Sequence, residues 1–458
     1  MEVEAPSHNI ATLRRMADAF GERLEVATVS ELSERGVIFV EDGNHGENRP
    51  RQDEFVATGI AFLRPPDLKN GRVDFQGCGR ISDAGFRRVR KGIGRRGDII
   101  LTHRATVGRI AITDSDAPEV FVTNPGTTIW RSTDPGVLDQ RYLYCFMRSA
   151  AFMDQLWSQV GNNSTFDYVS LTQQRGLRVA YPPIAEQKAI AAVLGALDDK
   201  IELNRRMNAT LEAMARALFQ SWFVDFDPVR AKLDGRTPVG LDPATGAHFP
   251  GSFHETAAGH IPHGWRVGSI YEIASVIYGA PFASSLFNTE KLGKPLIRIR
   301  DLPNESPAVF TTEMHPKGYL LQPGDIAVGM DGEFRAYLWA GVESWLNQRV
   351  CVFTPKRGYS AAFVRNSIIA PLAQVEATET ATTVIHLGKN DIDRFIVVIP
   401  NAPVAEVFTL QCQPWYDQIV ANRRQSRTLA TLRDTLLPKL LSGELRVADA
   451  ERAVVSAS

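Results

Sequence analysis

Two stretches of the chain carry seam residues at alternating four- and three-residue spacing, each sustained for more than four heptads. The first runs Ile190, Leu194, Leu197, Ile201, Asn204, Asn208, Leu211, Ala215, Leu218 and Trp222. The second runs Phe408, Cys412, Trp415, Ile419, Asn422, Ser426, Leu429, Arg433, Leu436 and Leu440. Such spacing predicts two long helices of about 37 residues, each roughly 55 Å at a 1.5 Å rise per residue. Neither could bury its seam alone, so the two are expected to pair. Elsewhere the pattern is that of short strands bounded by Gly, Pro and Asp. "GDIILT", "GRIAIT", "TTIW" and "LRVAY" occupy the first half, and "GDIAVG", "RVCVFT" and "RFIVVI" the second. Each half closes on an apolar strand and a proline, followed by a helix that starts near Ala185 or Val404.

The two halves are copies. "DDKIELNRRMNATLEAMARAL" (198–218) and "YDQIVANRRQSRTLATLRDTL" (416–436) share eight of 21 positions at a constant offset of 218. Upstream, "GNNSTFDYVSL" (161–171) aligns with "ATETATTVIHL" (377–387) at offset 216, and "RRGDIILTHRATVGRIAI" (95–112) with "QPGDIAVGMDGEFRAYLW" (322–339) at offset 227. The drift places insertions where loops belong. The order is therefore variable domain, long helix, variable domain, long helix. A duplicated unit favours two-fold symmetry and hence an antiparallel helix pair. Asn204 and Asn422 would then meet at the crossing, where a buried polar pair fixes register. The proline-rich segment between the halves gives the chain reach to return.

Composition adds bounds. At 458 residues, 44% apolar and 22% charged, the chain suits two or more globular domains. No apolar run approaches the roughly 20 residues that cross a bilayer, and the N-terminus lacks the apolar stretch of a signal peptide. Cys78, Cys145, Cys351 and Cys412 show no metal or disulfide spacing, which fits a reducing cytoplasm. A net charge of −1 argues against indiscriminate coating of nucleic acid but allows a local basic face.

The segment "YPPIAEQKAIAAVLGALDDKIELNRRMNATLEAMARALFQSWFVDFDPVRAK" resembles the central conserved region of specificity subunits of type I restriction-modification systems, and "LATLRDTLLPKLLSGELRV" resembles their distal conserved region. "DGNHGENRP" and "GIAFLRPPDLKNGRV" read like a first target-recognition domain, and "GWRVGSIYEIASVIYGAPF" with "LNQRVCVFTPKRG" like a second. The resemblance implies an α/β (α+β) chain with two recognition domains on mixed β-sheets. Each domain is followed by a long helix, and the helices pair as an antiparallel coiled-coil spacer. The expected division is 1–183 first domain, 184–222 central helix, 223–262 linker, 263–402 second domain, 403–442 distal helix and 443–458 tail. It further implies binding of a bipartite double-stranded DNA target, with two methyltransferase subunits and restriction/motor subunits as partners. S-adenosylmethionine, ATP and Mg would then reside in those partners, with no cofactor, metal or catalytic residue in this chain. The distal copy has "IPNAPVAEVF" where the central one has "PPIAEQKAI", so its helix start lacks the Glu-Gln pair and is expected to be more weakly capped.

Motifs for chemistry are missing. "YPPI" (181–184) and "NPGT" (124–127) each depart from the [DN]PP[YF] tetrad of an adenine methyltransferase. His45 in "DGNHG" reads as a loop residue. Two alternatives stand beside the specificity subunit: a self-sufficient methyltransferase or nuclease, and a coiled-coil adaptor with no DNA role. For phosphate contact the densest cationic stretch is Arg87, Arg88, Arg90, Lys91, Arg95 and Arg96. Candidates for reading bases are His103, Arg104, Asn162, Asn163 and Ser164 in the first domain. In the second they are Arg298, Arg300, Asp331, Glu333, Arg335, Asn347, Gln348 and Arg349. The aromatic cluster Phe219, Trp222, Phe223 and Phe226 is a candidate docking surface for a methyltransferase subunit.

Overall fold

The structure, a computed structural model, describes residues 15–113, 117–161, 167–256, 259–378 and 385–457. The two seams are continuous helices of 40 residues each, Ile184–Phe223 and Ala402–Leu441, about 60 Å long. The chain divides into two units: Met1–Lys200 with Thr428–Ser458, and Ile201–Arg427. The division falls inside both long helices, not at their ends. Each unit therefore holds one half, broadly, of each helix.

In the first unit, Glu25–Thr28 pairs antiparallel with Arg178–Tyr181, the strand that leads into the first long helix. One sheet runs in the order Ile38–Asp42, Thr127–Ser132, Ile99–Thr102, Ile110–Ile112, with two short strands beyond. A second orders Gly79–Ile81, Phe55–Leu63, Phe121–Thr123, Ile93–Gly94, and its central pair is parallel. Ile99, Ile100, Leu101 and Thr102 are all fully buried, which is why "GDIILT" is a continuous apolar run and not an alternating one.

The second unit repeats this topology. Arg266–Ser269 pairs with Ile396–Ile399 ahead of the second long helix. The strands Ala274–Tyr278, Val350–Pro355, Ile326–Gly329 and Ala336–Leu338 follow the order of the first sheet. Val309–Thr311, Lys294–Ile297, Ser344–Leu346 and Leu320–Leu321 follow the second, again with a parallel central pair. Both domains are thus mixed α/β copies of one plan, as the offsets imply.

Two expectations need correction. The segment expected as a linker is folded. Helices Asp227–Leu233 and Pro243–Ala247 and the hairpin Phe253–Thr256/Gly259–Pro262 follow one another there, and the Lys232 Nζ donates to the Gly246 carbonyl at 2.9 Å. The reason is apolar content: Phe226, Val229, Phe249 and Ile261 join the core of the second unit. The second long helix is also not poorly capped, because the Asn401 side chain accepts from the Val404 N–H at 3.1 Å and donates to the His248 carbonyl at 3.0 Å. In the first helix the Gln187 amide joins helix to domain instead. It donates to Val137 and Pro182 carbonyls and accepts from the Asp139 N–H.

Candidate nucleic-acid interface

The cationic stretch begins on the helix Asp83–Arg88, which Ser82 caps through the Gly85 N–H at 3.2 Å. Its path beyond the helix is set by Asn44, whose buried side chain accepts from the N–H groups of Arg90 (2.8 Å) and Lys91 (3.0 Å) and donates to the Lys91 carbonyl. Asn44 was not among the expected site residues. It lies in "DGNHG", which reads as a loop of the first target-recognition domain. His45 next to it is exposed and pairs with Asp42 at 3.1 Å. Arg88 is occupied internally. It pairs with the Glu54 carboxylate and donates to the Glu47 (3.2 Å) and Arg49 (3.3 Å) carbonyls. Arg96 holds the Ala117 carbonyl at 3.0 Å while its residue stays exposed. Arg87, Arg90, Lys91 and Arg95 are exposed, so the stretch presents a narrower cationic surface than its composition implies.

Among the base-reading candidates, His103 is only 1% exposed, with Nδ1 3.0 Å from the Val169 carbonyl. Burial holds its imidazole below the usual histidine range, with the Val169 carbonyl acting in the opposite sense. It is a core element and is corrected as a base reader. Arg298 is half-buried, and Asp301 accepts from its N–H at 2.9 Å and from Nε at 3.4 Å, so it closes a turn. Asn347 is half-buried, and its backbone N–H bonds the Ile297 carbonyl. Arg104, Arg300, Gln348 and Arg349 are exposed. Arg335, also exposed, pairs with Glu376 at 3.0 Å and Glu333 at 3.2 Å. Asn162, Asn163 and Ser164 lie outside the described residues. The structure also brings together three groups that sequence separates: Asp331, Arg349 and His386. His386 Nδ1 lies 2.7 Å from Asp331 Oδ1, and Arg349 Nη1 is 3.6 Å from the same oxygen.

The aromatic cluster is core, which corrects its expected role as a docking surface. Phe223 packs on Phe363 and Phe408 at 5.0 Å each, Trp222 on Phe249 at 5.0 Å, Phe219 on Phe363 at 5.6 Å and Phe226 on Trp265 at 5.9 Å. Rings of this size bury too much apolar area to be left in water when a domain face is within reach. The exposed apolar positions of the first long helix are instead Leu203, Met207 and Met214, spaced four and seven apart on one face.

The helix seams are placed in each unit separately. In the first unit Ile190, Leu194, Leu197, Leu429 and Leu436 are buried, and Asp198 pairs with Arg433 (2.6 Å) and Arg148 (2.8 Å). In the second, Asn204, Phe408, Ile419 and Asn422 are buried, while Ile201, Leu211, Leu218 and Trp415 are half-buried. There the two helix segments are antiparallel, since 204 meets 422–426 and 222–223 meets 408. The Asn204 Nδ2 group faces the Gln425 Oε1 (2.8 Å), the Asn422 carbonyl (3.3 Å) and the Ser426 Oγ (3.3 Å). Asn422 Nδ2 donates to Asn208 Oδ1 at 2.9 Å. The polar centre therefore has Asn208 as a third member.

Comparison with known proteins gives one consistent result. Residues 45–213 match a family model described as "Type I restriction modification DNA specificity domain". The chain is 27% identical over 411 residues to the type I restriction enzyme MjaIX specificity subunit of Methanocaldococcus jannaschii, covering 86% of this chain and 88% of that one. It is 24% identical over 459 residues to the HindI specificity subunit of Haemophilus influenzae, covering 88% and 98%. Among solved structures, a type I restriction-modification S subunit from M. genitalium shares the fold with a TM-score of 0.52 at 14% identity, over 91% of this chain and 96% of that one.

Proposed function

Because the chain belongs to the type I restriction-modification specificity subunits, we propose that it reads a two-part DNA sequence, one part with each domain, and performs no chemistry itself. The observation that carries this reading is the duplication. Two domains share strand order, a parallel central strand pair and a long helix, yet differ in their exposed polar residues. One fold presented twice with different surface chemistry is what recognition of two different sequences needs. The exposed cations Arg87, Arg90, Lys91 and Arg95 supply sequence-independent phosphate contact in the first domain.

The adenine methyltransferase subunits and the restriction/motor subunits dock on this scaffold in the cytoplasm, bringing S-adenosylmethionine, ATP and Mg with them. The exposed row Leu203, Met207 and Met214 is an apolar surface that suits a partner helix. No helix among the described residues is long and apolar enough to cross a membrane.

The test is to insert one heptad into each long helix of the chain in complex with its methyltransferase subunits and map methylated adenines. The half-sequences should persist while the number of base pairs between them changes. Altered half-sequences at unchanged spacing would refute the spacer role. Methyl transfer by the purified chain alone would refute the non-catalytic one.

A further inference from the structure

Each domain contains the same three-stranded clip, built from identical backbone hydrogen bonds. In the first, the His103 N–H bonds the Gly126 carbonyl (3.0 Å), the Val169 N–H bonds the His103 carbonyl (2.9 Å) and the Ala105 N–H bonds the Asp167 carbonyl (2.8 Å). In the second, the Met330 N–H bonds the Arg349 carbonyl (2.9 Å), the Leu387 N–H bonds the Met330 carbonyl (2.8 Å) and the Gly332 N–H bonds the Ile385 carbonyl (3.1 Å). Both clips carry an isolated antiparallel bridge, Arg104↔Tyr168 and Asp331↔His386. Both then turn through a left-handed residue, Ala105 at φ 62° and Gly332 at φ 80°. Ala105 holds a conformation that disfavours any Cβ, and such strain persists only where surrounding structure fixes it.

The side chains displayed on this shared frame are not shared. At the three matched positions the first domain has Arg104, Gly126 and Tyr168, and the second has Asp331, Arg349 and His386. Each clip thus presents one arginine, but from a different strand. The Arg104 side chain has no hydrogen bond or ion pair among the described residues, beside a Tyr168 that is 40% exposed. Arg349 is exposed and is steadied by Asp331 Oδ1 at 3.6 Å, the oxygen that His386 Nδ1 holds at 2.7 Å. A frame held constant by backbone bonds while its exposed groups change is where two copies of one domain acquire different specificities. An arginine fork matches the O6 and N7 acceptors of guanine in the major groove.

The geometry points to Arg104 and Arg349 as the guanine-reading residues of the two domains, each contacting one G·C pair in its own half of the target. Asp331 and His386 are positioning residues for Arg349. This rests on the DNA-reading function proposed above.

The experiment uses the chain assembled with its methyltransferase subunits and a duplex library randomised across both half-sites, with methylated adenines read by sequencing. For Arg104→Ala, the preference for guanine should fall about tenfold or more at one position of one half-site, with the other half-site unchanged. Arg349→Ala should do the same in the other half. Arg104→Lys and Arg349→Lys keep the charge but lose the fork, so they should relax the same base pair, and they decide the matter should an alanine variant fail to assemble. Asp331→Asn should weaken the second preference without moving it. A uniform drop in methylation at unchanged sequence preference would overturn the assignment and make these arginines phosphate contacts, leaving the DNA-reading function intact. Absence of any sequence preference with the unaltered chain would sink that function itself, and the assignment with it.

Discussion

Replacing Asn422 by leucine strands a buried acceptor, whereas replacing Asn204 does not. Asn422 Nδ2 is the donor to Asn208 Oδ1, and Asn208 is buried. Its loss leaves that oxygen unsatisfied, which costs about 1–3 kcal/mol. The other partner of Asn422, Gln418, is exposed and turns to water. The acceptors facing Asn204 fare differently. The Asn422 carbonyl keeps a bond from Ser426 Oγ at 2.8 Å, and Gln425 and Ser426 are half-exposed. Asn204→Leu should therefore stay within about 1 kcal/mol of the parent, and the added apolar contact offsets the lost bonds. The double variant Asn208→Leu/Asn422→Leu removes donor and acceptor together and should recover most of the loss. Five of the seven tryptophans (222, 265, 339, 345 and 415) lie in the second unit, so tryptophan fluorescence during thermal unfolding reports on it. At roughly 2–4 °C per kcal/mol for a unit of this size, Asn422→Leu should lower its midpoint by about 2–12 °C. Equal losses for Asn204→Leu and Asn422→Leu, or a double variant worse than Asn422→Leu alone, would refute the assignment of donors and acceptors.

Phe223→Ala removes a ring at the centre of the second unit and should destabilise it by about 3–5 kcal/mol, read as an early fluorescence transition; a normal midpoint with lost methyltransferase binding would restore the docking role. Gln187→Leu leaves the Asp139 N–H and two carbonyls without their partner, and should cost about 1–3 kcal/mol in the first unit, followed by hydrogen exchange at Asp139. Asp325 is pushed above the usual carboxylate range by burial, partly countered by the Gln322 N–H and the Tyr319 hydroxyl. Its ionisation therefore opposes folding, and the opposition grows from about pH 3.8 to its raised folded value, then stays constant. Asp325→Asn keeps an acceptor for both groups and should raise the midpoint at pH 7, with the gain vanishing below pH 3.8; a pH-independent gain would rule out ionisation as its cause.

What was legible in the sequence is what repeats locally. Heptad seams, apolar strands and the aligned "GD" pairs depend on neighbours a few residues away, so they survive in one dimension. The fate of individual arginines does not. Arg88 is neutralised by Glu54, 34 positions away, and His103 is enclosed by Val169, 66 positions away. The burial of the aromatic cluster is hidden for the same reason, because Phe363 and Phe408, which cover Phe223, lie far along the chain. The readout clip was accessible in principle. Offset 227 sets Arg104 on Asp331 and Ala105 on Gly332, whereas the offset of 216 aligned for 161–171 has to become 218 before Tyr168 falls on His386. Only the backbone bonds join those positions into one surface.

The clamps between domain and helix show how far the copies have diverged. In the first unit the helix contributes acids, with Asp198 and Asp199 held by Arg72, Arg141 and Arg148 of the domain. In the second the polarity is partly inverted. Helix residues Arg423 and Arg427 grip Glu305 of the domain, whose carboxylate also accepts from the Ala340 N–H. Glu212 of the first long helix then bridges Arg423 (2.8 Å) and Arg365 (3.2 Å). Glu305 sits at φ 52°, a conformation costly for a residue with a Cβ and held here by the two arginines and that N–H. Removing one partner of Asp198, Glu212 or Glu305 leaves a largely buried charge uncompensated and is costly, whereas the Arg141–Asp199 pair is exposed and contributes little. A domain moved to the other seat would bring arginines to arginines, or a glutamate to aspartates. The repeated fold makes the two domains alike, and their clamps to the helices differ in charge arrangement.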